Sequence, residues 1–132
     1  KYRCGVAGLA VTDLELIMTS GSGDIPYNPV GLALWKAMAG DPATDRELLR
    51  AASPALLADR IKSPVLMYSG GADIRVPIEQ PRKMRSALIA QGRPPVWIEE
   101  PAEGHGFGVL SANVSLYERM LAFLDQHLRR AP

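Results

Sequence analysis

A chain of 132 residues with 47% apolar and 22% charged side chains is long enough for one domain with a filled core. Its single cysteine and two histidines exclude an internal disulfide and a zinc site at the usual spacings. A net charge of +1 argues against nucleic acid as the main partner. No apolar run reaches the ~20 residues of a membrane-spanning helix. No metal or other cofactor is expected. The chain opens Lys1-Tyr2-Arg3, with neither a methionine nor a charged-then-apolar leader. The composition and the lack of a visible leader predict a cytoplasmic protein, and the opening reads as a piece of something longer.

Residues 4–11 (CGVAGLAV) are apolar throughout, as suits a strand covered on both faces in a parallel sheet. Cys4 is expected there as an inert buried thiol. A short helix over 13–18 precedes a Gly/Ser/Pro/Asn loop over 20–29. Residues 30–39 (VGLALWKAMA) are apolar nearly all round and predict a buried helix. Asp41-Pro42 and a Thr44–Glu47 capping box predict a helix running to about residue 52. Ser53-Pro54 then starts a short helix over 55–59.

The second strand is 65–68 (VLMY), ending at Gly70-Gly71. An amphipathic helix over 78–91 puts Met84, Leu88 and Gln91 on its inner side and Arg82, Lys83 and Arg85 toward water. Gly92 ends it. The third strand is 96–98, followed by the glycine-rich loop 104–108 (GHGFG). The last helix, about 111–129, shows a stripe of Val114, Tyr117, Leu121, Leu124 and Leu128. Arg129 and Arg130 sit where positive charge favours a helix end, as does His127. The alternation is that of an α/β fold with three parallel strands and crossover helices.

In open α/β sheets, functional groups collect just past the carboxyl ends of strands. Two such loops carry a titratable group: Asp73 after the second strand and His105 after the third. Singly, an Asp after a strand is a turn or cap, and a His among glycines is surface decoration. Together, adjacent parallel strands bring them to one edge of the sheet. There an aspartate fixes the tautomer of an imidazole and leaves its other nitrogen as a general base. Their order matches the last two members of Ser…Asp…His in α/β-hydrolases.

Residues 53–107 contain Ser53-Pro54, a Pro64-led strand, G-x-x-D-x-R-V-P over 70–77 with Gln80 three residues on, and E-G-H-G-F over 103–107. This pattern resembles the C-terminal end of the catalytic domain of the prolyl oligopeptidase family, in its dipeptidyl-peptidase and acylaminoacyl-peptidase branch. Residues 2–20 resemble the stretch that follows the family's nucleophile helix. Ser69 and Gly71 depart from the branch, which usually has His and an acidic residue there. The resemblance implies the C-terminal part of an α/β-hydrolase fold, with Asp73 as the triad acid and His105 as its base. It also implies Tyr27, Trp35 and Met38 as candidate lining of a substrate pocket, against a plain core role for Trp35 and Met38. None of the eight serines (20, 22, 53, 63, 69, 86, 111, 115) has a glycine two residues before it, as the family's G-x-S-x-G-G requires. The nucleophile and the oxyanion hole are therefore expected before Lys1. Residues 1–132 read as a partial peptidase catalytic domain, inactive alone, whose intact enzyme takes peptide substrates.

An esterase of the same fold and a non-catalytic binding or assembly module are the alternatives. Ser22 is a weak substitute nucleophile, because its loop has no strand-to-helix elbow. Arg75 either braces the acid loop or faces solvent. Glu99, Glu100 and Glu103 read as surface carboxylates, since neighbouring strand residues point to opposite faces. An unpaired edge at residues 4–11 predicts a homo-oligomer joined there.

Overall fold

The computed structural model describes residues 2–129. Three strands, β1 (Gly5–Gly8), β2 (Val65–Gly70) and β3 (Val96–Glu100), form one parallel sheet in the order β1-β2-β3. Gly5 pairs with Val65, and Leu66 pairs with Val96. Between β1 and β2 run α1 (Leu14–Thr19), α2 (Pro29–Ala39), α3 (Arg46–Ala52) and a 3-10 segment over Pro54–Arg60. The helix α4 (Glu79–Ala90) links β2 to β3, and α5 (Leu110–Leu128) follows β3. The expected α/β architecture of three parallel strands with crossover helices is present. Among the described residues no helix is long and apolar enough to cross a membrane.

Strand alternation divides the core in two. Met67 on β2 faces Ala55, Ala58, Met84 and Leu88, so α4 and the 3-10 segment cover one side of the sheet. Leu66 and Ile98 face the other side, where Leu116 and Phe123 of α5 cover them. A satellite core of Ile17, Met18 and Leu49 joins α1 to α3. A polar lock holds the segment after β1 against α4. The fully buried Gln80 accepts the N–H groups of Thr12 (3.0 Å) and Asp13 (2.8 Å) and donates to the Asp13 carbonyl (3.0 Å).

Several expectations are corrected. The first strand is only Gly5–Gly8, because Leu9 takes a left-handed φ of 50° that ends the extended run. Cys4 is half-buried, not enclosed, beside the α5-side core. The helix α2 is not buried all round. Leu32, Trp35 and Ala39 pack on the satellite core, while Val30, Leu34 and Met38 are exposed. The helix α3 starts at Arg46, not at 42, and the Thr44–Glu47 box does not form. Asp41 and Asp45 instead close a turn, the Asp45 carboxylate accepting the Asp41 N–H at 2.8 Å and that of Asp41 the Ala43 N–H at 2.9 Å.

On α4 the inner face is Gln80, Pro81, Met84 and Leu88, and Gln91 is exposed. Gly92, with φ +69°, ends the helix as expected. Its basic face is partnered as well as solvated: Arg82 pairs with Glu99, Lys83 with Asp13, and Arg85 lies 5.4 Å over the Trp97 ring. The helix α5 is rotated from the expected stripe. Leu116 and Phe123 are buried and Met120 and Leu124 half-buried, whereas Val114, Tyr117, Leu121 and Leu128 are exposed. The helix is apolar on both faces, so its period alone does not choose between them. His127 meets the Phe123 ring edge-on at 4.6 Å. The reading of Arg130 lies outside the described residues.

Candidate active site

The carboxyl ends of β2 and β3 carry the two loops, and main-chain bonds stitch one loop to the other. Gly71 N–H donates to Glu100 O (2.8 Å), and Ala72 N–H donates to Glu103 O (2.9 Å). The loops approach so closely that a Cβ on Gly70 would stand 2.2 Å from the Glu103 carbonyl oxygen, and one on Gly71 2.8 Å from Pro101. Gly70 is what this contact requires, whereas a side chain at Gly71 would need Pro101 to shift.

The stitching delivers Asp73 to His105. His105 Nδ1 lies 2.9 Å from Asp73 Oδ2. The Asp73 side chain is fully buried, and that of His105 is 40% exposed. The other Asp73 oxygen, Oδ1, accepts the Arg75 and Val76 N–H groups, each at 2.9 Å. The carboxylate is thus fixed by its own loop before it meets the imidazole. This is an Asx-turn arrangement that converts a local turn into a rigid acceptor. His105 sits at the tip of a γ-turn in which Gly106 N–H donates to Gly104 O at 2.9 Å. With Nδ1 facing the carboxylate, Nε2 makes no hydrogen bond among the described residues and is free to take a proton.

The remaining candidates fall as follows. Arg75 is exposed and forms no ion pair among the described residues. Ser22 Oγ lies 2.8 Å from Ser20 Oγ, and no serine hydroxyl bonds His105 among the described residues. Ser69, at a departure from the branch pattern, is fully buried with a hydroxyl that has no partner among the described residues. Trp35 packs into the satellite core, Met38 points outward from α2, and Tyr27 is 70% exposed, so the three do not converge. The segment that carries Tyr27 is tied to the acid loop at Asp24, whose N–H donates to Ile74 O at 2.8 Å, while the Tyr27 hydroxyl donates to Gly21 O at 3.1 Å.

Glu99 and Glu100 face apart as expected but are half-buried rather than surface carboxylates, with Glu99 on the α4 side paired to Arg82. Glu103 departs further. It is only 7% exposed, and its carboxylate accepts the N–H groups of Gly108 (2.6 Å) and Val109 (3.1 Å). Sequence reasoning missed it as a buried group. The signal was a carboxylate set between a strand end and glycines, a few residues before an uncapped helix start.

The profile of the prolyl oligopeptidase family matches residues 1–131. Dipeptidyl aminopeptidase BIII of Pseudoxanthomonas mexicana is 30% identical, the match covering 96% of this chain and 18% of that protein. A puromycin-hydrolyzing peptidase of Mycobacterium tuberculosis has the same fold with a TM-score of 0.85 at 25% identity, over 99% of this chain and 19% of that one. The acylaminoacyl peptidase of Pyrococcus horikoshii, at 22% identity and a TM-score of 0.83, shares the fold over 99% of this chain and 21% of its own. The chain spans about one-fifth of the length of these proteins.

Proposed function

Because the chain belongs to the prolyl oligopeptidase family, we propose that it supplies the acid and the base of a serine peptidase triad, Asp73 and His105, and that the nucleophile comes from outside these 132 residues. The carrying observation is the 2.9 Å contact of His105 Nδ1 with a fully buried Asp73 carboxylate. In the intact enzyme His105 Nε2 takes the serine proton as the hydroxyl attacks the scissile carbonyl. It returns that proton to the leaving amine as the tetrahedral adduct collapses. Water, activated by the same nitrogen, then releases the acyl group. Asp73 holds the imidazole tautomer and stabilises the imidazolium.

The substrates in this reading are short peptides or aminoacyl amides, in keeping with the names of the relatives. Of the three pocket candidates, Tyr27 lies on the segment that Asp24 ties to the acid loop, and Trp35 packs on the satellite core. A cytoplasmic location belongs to the same reading. An esterase would use the same groups, and nothing in the site favours it.

A fluorophosphonate probe with peptide mapping tests the proposal. The 132-residue chain is expected to take up no label. The full-length polypeptide is expected to be labelled on a serine upstream of Lys1, and His105→Ala to lower its turnover by about 10⁴-fold or more. An adduct on any serine of this chain would overturn the reading.

A further inference from the structure

We propose that Glu103 is a positioning residue for His105, acting as a carboxylate staple across the histidine loop; this rests on His105 being the triad base. His105 stands between Gly104 and Gly106, two residues that contribute no side chain to hold it and leave the backbone with the most freedom to lose. The single hydrogen bond of the γ-turn closes only the tip. Something else must fix the rest of the segment, and Glu103 does so from both ends.

Its main chain is anchored to the sheet side, with its N–H donating to Glu100 O (3.1 Å) and its carbonyl accepting from Ala72, the neighbour of Asp73. Its side chain reaches over the turn to Gly108 N–H (2.6 Å) and Val109 N–H (3.1 Å), where α5 begins. Residues 104–107 are thereby clamped between the two ends of one residue's reach. Asn113, from the first turn of α5, donates its side-chain amide to the Phe107 carbonyl and holds the same span from outside.

The chemistry calls for a carboxylate. Hydrogen bonds to an ionised acceptor are roughly twice as strong as neutral ones, and the amino end of α5 favours an anion. Both Glu103 oxygens accept. A glutamine of the same shape has one accepting oxygen and an NH2 that would confront a backbone N–H, leaving a buried donor unpaired. The acid loop is tied to the Glu103 main chain, not to its side chain, so Glu103→Gln disturbs the histidine and spares Asp73. A displacement of about 1 Å at a catalytic group can cost 10²-fold in rate.

The test is a double-mutant cycle in the full-length enzyme with Glu103→Gln, His105→Ala and both, assayed on a dipeptide nitroanilide. Glu103→Gln is expected to lower kcat between about 10- and 100-fold while KM moves little. It should cost nothing further once His105 is alanine. A kcat within about twofold of the parent, or a loss repeated in the His105→Ala background, would overturn the proposal. If Glu103→Gln does not fold, Asn113→Ser reports on the same loop: a loss confined to kcat supports the staple, and an unchanged kcat removes it. A fully active His105→Ala enzyme would sink the triad reading itself, whereas a dead His105→Ala beside a parent-like Glu103→Gln would sink only this inference.

Discussion

At the scale of single residues, position in the fold separated carboxylates that look alike in a one-dimensional reading. Asp73 and Glu103 are buried, and each accepts two backbone N–H groups. Glu99 instead lies beside Arg82 and the Trp97 indole N–H. Asp13 is a third kind. Burial opposes its ionisation, but Lys83 and the Leu16 and Glu15 N–H groups outweigh that and hold its pKa below the ordinary 3.8. A depressed folded value means the contribution is complete above about pH 3.8 and is lost as pH falls through the folded pKa. Asp13→Asn should therefore flatten the fall of Tm with pH below about pH 4. Asp41, held low by the Ala43 N–H and then by Lys36, would leave a residual slope. An unchanged pH profile would remove Asp13 from the account. The aspartate and histidine of the candidate pair were legible because each follows a strand in a glycine-rich loop. Glu103 was not, since burial is a property of what packs over a residue.

At the scale of elements, the decisive junction is where β2 meets the loop after β3. Gly70→Ala would drive a Cβ to 2.2 Å from the Glu103 carbonyl, which is backbone and cannot rotate away. Forced overpacking of this kind typically costs about 1–3 kcal/mol. The expected result is a lower Tm together with a His105 ring no longer held at Asp73, seen as loss of its hydrogen-bonded Nδ1–H resonance. A variant as stable as the parent with that resonance intact would show that the loops can part without consequence. Element type and order followed from pattern, because runs such as VLMY and the amphipathic, glycine-ended span of α4 leave little choice. Orientation did not. The helix α5 offers apolar residues on both faces, and the sheet selected the face with Phe123 and Leu116 because these fill the space over Leu66 and Ile98.

For the whole molecule, the sheet ends at β1, whose outer edge is unpaired among the described residues and carries no charged side chain over Gly5–Gly8. Charges and proline are what normally protect such an edge. The 132-residue chain alone is proposed to associate through this strand, so light scattering should show dimers or larger species at high concentration. A clean monomer would count against it. What the sequence by itself determined was the α/β class, the parallel order and the placing of Asp73 and His105 at neighbouring strand ends, because strand periodicity and glycine-rich loops are local signals. Only the tertiary structure decided that the imidazole and carboxylate meet at 2.9 Å, that Glu103 closes the loop around them, and which side of α2 and α5 faces inward. Those outcomes depend on contacts between segments distant in the chain, and local patterns do not encode which of two workable faces the rest of the fold will cover.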